Sequence, residues 1–345
     1  MRLQARIFGS LAGVAVGDAL GFPMHDMPSE EIQHRFDGRA DRMVGAFADD
    51  FIHVGFRAGQ VTDDTILTIQ TARAILASRG RLTAPDMARW LGEWAAAHEE
   101  VWSNGEVFGP STKKAFTEFI RHSNGWTLDT HRAPFDRGTS NGCVMRVAPA
   151  GLVHPGRMGA AVELAFNVVA PTHGTQVAIS AAAAHAAAVA RALQDGADPM
   201  SVVDAALEGA KTGEEIGRQA RIVPSARVAP RCELAVDLAL KSSDPYEAGA
   251  RIQEILGTNL AAAEAFPTAL GLFVAANGDP KESILAAINT GGDTDTIASV
   301  VGALAGALRG IDAIPTEWLE KVESVNNLGL EKLASELCEL ASQLQ

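Results

Sequence analysis

The chain has 345 residues, 42 acidic against 29 basic side chains for a formal net charge of −13, 47% hydrophobic residues and only 6% aromatic ones. This length supports a sizeable core in one large domain or two, the hydrophobic content excludes a disordered chain, and the acidic balance argues against duplex nucleic acid as a partner. An alanine-rich, aromatic-poor composition with a single tyrosine, Tyr246, predicts an all-α or nearly all-α fold.

At the N-terminus, Arg2 and Arg6 precede an apolar run that superficially resembles a signal peptide, but the run is punctuated by glycine, carries Asp18 and joins a periodic helix over 5–21. Gly9, Gly13, Gly17 and Gly21 fall on one face of that helix, where a close-approaching backbone would offset their cost of ~1 kcal/mol each. Residues 21–60 read as irregular, with a short helix over 30–36. The tract Val61-Thr62-Asp63-Asp64-Thr65 opens an amphipathic helix over 65–78, and another is predicted over 84–98. Residues 104–110 and 127–142 are rich in turn formers. Helices are expected over 158–169, 176–194, 199–213, 234–242, 245–255, 261–277 and 280–289. The alanine-rich 177–193 stretch, interrupted by His185, reads as a buried helix rather than a membrane span.

A second acidic tract, Gly291-Gly292-Asp293-Thr294-Asp295-Thr296, leads into an apolar helix from Ile297 whose Gly302, Gly306 and Gly310 repeat the spacing of the first glycine face. Helices over 315–328 and 330–344 close the chain. No composition break marks a boundary, so 1–345 reads as one domain. Cys143, Cys232 and Cys338, odd in number and scattered, fit neither a disulfide framework nor thiolate zinc spacing and point to a reducing, cytoplasmic setting.

Each acidic tract has an ordinary reading as a helix cap, with Thr62 in the first and Asp293 or Thr294 in the second at the N-cap, and carboxylates favouring the positive end of the helix dipole. Their duplication and acid content exceed what capping needs. Carboxylates and hydroxyls are the hard donors preferred by magnesium, calcium or manganese. Four carboxylates brought together would repel by ~4 kcal/mol per pair at ~4 Å and an effective dielectric near ~20, so the cluster must be protonated or hold cations. A two-cation site is the leading expectation.

Together with Gly13–Gly21 and the two acidic tracts, Ser140-Asn141-Gly142-Cys143-Val144-Met145-Arg146-Val147-Ala148-Pro149 and Thr172-His173-Gly174 complete an ordered set that resembles the ADP-ribosylglycohydrolase family over nearly the whole chain. The resemblance implies a compact all-helical single domain with a central pair of Mg2+ ions, Mn2+ being an alternative, and hydrolysis of ADP-ribosyl or similar ribosyl linkages. It implies Thr62, Asp63, Asp64, Asp293, Asp295 and Thr296 as metal ligands and Asn141 and His173 as contacts of the ADP-ribose. Arg146 is open to two readings, a phosphate partner or an internal ion pair. Asp18 is expected to order a loop rather than touch substrate.

Two positions depart from the family pattern. His25 stands where many members carry a glutamate; it can act as a base near neutral pH but is a poorer magnesium ligand, with Asp26, Asp49 or Asp50 as compensating acids. In Val107-Phe108-Gly109-Pro110-Ser111-Thr112 some members place an acid where Val107 stands, and Glu106 is only a neighbour. Asp63, Asp64 or His25 is the candidate catalytic base. The expected activity is metal-dependent cleavage at the anomeric carbon of a ribose, removing ADP-ribose from a modified acceptor. The alternatives are an N-riboside hydrolase acting on a small metabolite and a non-catalytic ADP-ribose-binding scaffold. Neither nucleic acid nor membrane is an expected partner.

Overall fold

The computed structural model describes residues 2–49, 53–103, 107–121 and 138–345. The chain opens with α1 (Leu3–Gly21), passes a 3₁₀ turn (Phe22–Met24) and strand β1 (Met27–Pro28) into α2 (Ser29–Phe36), and reaches α3 (Asp63–Ala77). Helices α4 (Ala84–Ala97), α5 (Glu99–Trp102) and α6 (Pro110–Arg121) form one flank, knit together by Trp94, Trp102, Phe108 and Phe116. A 3₁₀ turn (Asn141–Cys143) and α7 (Ala148–Leu152) lead to α8 (Met158–His173), α9 (Gln176–Ala192), α10 (Pro199–Arg218), α11 (Val228–Leu240), α12 (Pro245–Leu256), α13 (Ala262–Ala275) and α14 (Pro280–Ile288). Strand β2 (Gly291–Gly292) then enters α15 (Thr294–Arg309), followed by α16 (Thr316–Asn326) and α17 (Leu330–Leu344).

Among the described residues the regular structure is thus helical apart from one two-residue antiparallel strand pair, Met27 opposite Gly292 and Pro28 opposite Gly291, and two isolated bridges. Gly291 and Gly292 both have φ of +78°, and a Cβ on Gly291 would lie 2.8 Å from the Met27 carbonyl oxygen. The backbone that approaches this Gly-Gly pair closely is therefore the protein's own β1.

The glycine faces explain the centre of the molecule. Helix α1 runs antiparallel to α15, with Gly9 against Gly306 and Gly310, Gly13 against Gly302, Gly17 against Ala298 and Gly21 against Asp295. A Cβ on Gly9 would stand 2.6 Å from the Gly306 carbonyl oxygen, and one on Gly21 2.5 Å from Asp295 Cα. The two backbones touch, so no other side chain fits between them. The Leu3–Met24 stretch is long and apolar enough to cross a membrane, yet 94% of its 18-residue apolar window is buried inside the protein, as a core helix requires. The alanine-rich α9 is likewise buried from Val177 to Ala190.

Several boundaries differ from the sequence-based expectation. Helix α10 continues past 213 because Glu214 pairs with Arg218 one turn on, at 2.8 Å. Helix α8 extends through Pro171 to His173, although Pro171 has no N–H to offer the Asn167 carbonyl one turn back, and the helix ends two residues later. Helix α11 begins at Val228, with Pro230 tolerated in its first turn. Helix α6 has no counterpart among the elements read from sequence, although Thr112, Ala115, Phe116 and Phe119 give it a buried face at helical spacing. The turn-rich reading of 104–110 and 127–142 lies outside the described residues at 104–106 and up to 137.

Candidate functional site

The α1–α15 contact carries the end of α1 to the start of α15. His25 follows the 3₁₀ turn after α1, and its Nδ1 lies 2.7 Å from Asp295 Oδ1 and 3.4 Å from Asp293 Oδ1. The backbone on either side is pinned: the Asp26 N–H donates to the Gly292 carbonyl at 2.8 Å, and the Asp293 N–H donates to the Thr258 carbonyl at 2.7 Å. Thr294 Oγ1 donates to the Gly21 carbonyl at 2.8 Å, tying the second acidic tract to the end of α1.

The first acidic tract is positioned from inside α1. Asp18, fully buried near the C-terminal end of α1, accepts the Thr62 N–H at 2.9 Å, the Thr65 N–H at 3.1 Å and the Thr65 hydroxyl at 2.5 Å. Asp18 does order a loop, but one more than forty residues further along. Thr62 caps α3, its Oγ1 accepting from the Asp64 N–H at 3.3 Å. The capping reading and the clustering reading of this tract therefore both hold. Thr296 Oγ1 donates to Asp64 Oδ2 at 3.4 Å, which joins the two tracts directly.

Asp18, Asp63, Asp64, Asp293 and Asp295 thus share one buried region. Burial, then repulsion from Asp295 and Asp18, pushes Asp63 and Asp64 well above the usual carboxylate range; the Gly109 backbone partly offsets this at Asp63. Burial also raises Asp18, to about 7, against its hydrogen bonds from Thr65 and Thr62. At the opposite side, burial alone would lower His25, but the charge of Asp295 and the close approach of Asp293 outweigh it and raise the imidazole to about 12. Asp293 overcomes its burial through His25 and Asn141 and is held at about 2. Asp295, although nearer to His25, is pushed upward by burial and by the Asp293 charge beside it, against the opposing charge of His25.

The fit of this region to divalent cations rests on its atoms. Asp64 Oδ1 and Asp293 Oδ1 are buried and accept no hydrogen bond among the described residues. His25, Asp293 and Asp295 each offer a ligand atom, all within 4.8 Å of one another. Oxygen donors without protein partners, in a field that already stabilises an imidazolium, suit a hard dication.

Asn141 reaches the same region, its Nδ2 donating to Asp293 Oδ2 at 2.6 Å. His173 stands one step behind. Its Nδ1 lies 2.8 Å from Thr172 Oγ1 and its Nε2 2.8 Å from Ser140 Oγ, so Ser140 rather than His173 is the outer group. Burial and the nearby Arg146 hold His173 down to about 3, hence neutral. Arg146 is fully buried and donates to Thr172 Oγ1 at 2.5 Å and the Val168 carbonyl at 3.4 Å, so it supports this relay. Ser140 and Thr172 were not singled out from the sequence; their position beside Asn141 and His173 was the available signal. Asp26 lies 3.7 Å from His25 Nε2, whereas Asp49 pairs with Arg35 at 2.8 Å and stands apart from the cluster. Asp50 and Glu106 lie outside the described residues.

The chain is similar to known proteins over nearly its whole length. An uncharacterized protein of Escherichia coli K12, YegU, is 29% identical over 340 residues, covering 98% of each chain. The ADP-ribosylarginine hydrolase Tri1 of Pseudomonas putida is 28% identical over 344 residues, covering 98% of this chain and 79% of its own. A solved structure titled as an ADP-ribosylglycohydrolase-related protein complex superposes with a TM-score of 0.69 at 24% identity, over 98% of this chain and 99% of that one, a likeness of fold. The sequence model of the ADP-ribosylglycohydrolase family matches residues 1–345. The chain belongs to the ADP-ribosylglycohydrolase family.

Proposed function

We propose that this chain is a divalent-cation-dependent glycosidase that hydrolyses the bond between the anomeric carbon of ADP-ribose and a modified acceptor. The observation that carries the reading is the meeting of Asp63 and Asp64 with Asp293, Asp295 and Thr296 in one buried region, with Asp64 Oδ1 and Asp293 Oδ1 lacking hydrogen-bond partners. Thr62, Asp63, Asp64, Asp293, Asp295 and Thr296 would hold two Mg2+ or Mn2+ ions. Bound there, such ions orient ribose hydroxyls, acidify water and offset the charge of a diphosphate.

The side chains supply the remaining functions. Asp63 or Asp64, both raised by burial and mutual repulsion, is suited to accept a proton from the attacking water. The transition state at the anomeric carbon is oxocarbenium-like, so a carboxylate-rich surround favours it electrostatically. Asn141 fixes Asp293, and Ser140, backed by His173, Thr172 and Arg146, presents a hydroxyl suited to the diphosphate.

The test uses the purified full chain against ADP-ribosylated arginine and serine peptides and a panel of nucleosides. Release of ADP-ribose should require a divalent cation and disappear in Asp63→Asn and Asp295→Asn, with the circular-dichroism helix signal retained. Undiminished release in excess EDTA would remove the metal-dependent reading. Turnover confined to nucleosides would replace it with an N-riboside hydrolase, and binding of ADP-ribose without any turnover with a binding scaffold.

A further inference from the structure

One donor in the cluster differs in kind from the others. His25 brings nitrogen into a set that is otherwise oxygen, and its Nδ1 shares a volume with Asp293 and Asp295 within which all ligand atoms lie 4.8 Å or less apart. The ring is held there rather than passing through. Its backbone is fixed one residue on by the Asp26–Gly292 hydrogen bond, and Phe22 and His53 flank it at ring-centroid distances of 6.0 and 6.3 Å. Its outer nitrogen, Nε2, faces Asp26 Oδ2 at 3.7 Å. Asp293 Oδ1, buried and accepting no hydrogen bond, lies 3.4 Å from this Nδ1, and Asp64 Oδ1 is a second buried oxygen without a hydrogen-bond partner, in the tract that Thr296 joins to this one.

We propose that His25 Nδ1 is a direct ligand of one bound cation and that this nitrogen makes the centre select Mn2+ over Mg2+. The proposal rests on the two-cation reading above and deepens it. Imidazole is a borderline donor that contributes more to a first-row transition ion than to magnesium, which dehydrates reluctantly and favours oxygen. On binding, the proton that Nδ1 shares with Asp295 leaves for solvent as the nitrogen–metal bond forms.

The experiment uses the full chain, stripped of metal by dialysis against a chelator, and reads binding without substrate. Calorimetric titration with Mn2+ alone and Mg2+ alone gives the affinity ratio. Pulsed electron paramagnetic resonance of the Mn2+ form reports directly bound nitrogen. We expect imidazole nitrogen modulation in the native chain and its loss in both His25→Glu and His25→Gln, with Mn2+ still bound. The Mn2+/Mg2+ affinity ratio should fall about tenfold in His25→Glu. Thermal unfolding of both variants establishes that they are folded. Mn2+ bound without nitrogen modulation, or with modulation unchanged in the two variants, overturns the role of His25 while leaving the cation site standing. No uptake of either ion by the native chain overturns both.

Discussion

Gly13 and Gly302 meet backbone to backbone: a Cβ on Gly13 would stand 2.5 Å from the Gly302 carbonyl carbon, and one on Gly302 2.7 Å from that of Gly13. Neither atom is the end of a flexible side chain, so nothing can yield without parting the helices. Gly13→Ala is expected to cost at least about 1–3 kcal/mol in denaturant unfolding, the range for overpacking a close-packed interior. Because His25 follows α1 and Asp295 begins α15, the same change should weaken divalent-cation binding. Gly159→Ala, where a Cβ meets nothing within 4 Å, is the control and should be neutral or stabilising.

Asp18 is expected to act on stability and on the site together. Asp18→Ala leaves the buried Thr62 and Thr65 N–H groups without their acceptor and frees the tract that carries Asp63 and Asp64. A loss on the order of 3 kcal/mol follows from two buried donors left unpaired. Urea unfolding measures it, and a parallel fall in Mn2+ affinity would separate loss of the loop from general softening.

The cation-free protein should lose stability as pH rises. Asp18, Asp63, Asp64 and Asp295 all titrate above 3.8 in the folded state, Asp18 at about 7, and His25 titrates at about 12 instead of 6.5. The folded chain then holds more protons than the unfolded one, and each such group contributes a slope of up to about −1.4 kcal/mol per pH unit within its window. For Asp18 the window runs from 3.8 to about 7; for His25 the contribution is complete below 6.5 and fades toward about 12. Asp293, depressed to about 2, acts oppositely and only in acid, its contribution being lost as pH falls from 3.8 through about 2. Melting curves in EDTA at about pH 5 and about pH 8 should show the drop, and saturating Mn2+ should shrink it.

Removing a charge from the cluster should stabilise the cation-free fold. Asp64 has one oxygen with no hydrogen-bond partner and is pushed upward by burial and by Asp295, Asp18, Asp63 and Asp293. In Asp64→Asn the repulsion is relieved, for an expected gain of about 1–2 kcal/mol near pH 8 in EDTA. The rise in melting temperature that Mn2+ confers on the native chain should be largely lost in the same variant. A lower melting point in EDTA would mean that Asp64 is not charge-stressed.

Composition and periodicity alone determined the helical class, the four-residue glycine faces of α1 and α15, and which carboxylates and threonines to watch, because those features are local to the chain and repeat with the helix. The apolar face of α6 was equally local, and the sequence contained it. The tertiary structure alone decided that Asp18 serves the Thr62–Thr65 turn, that Ser140 stands in front of His173, and that the outer side of His25 meets Asp26 while its inner side meets Asp293 and Asp295. Each of these depends on the register of α1 against α15 or on a loop returning from far along the chain. The Ser140–His173 and Asp18–Thr65 contacts bridge 33 and 47 positions and His25–Asp295 bridges 270, and residue identity along the chain does not encode such contacts one position at a time.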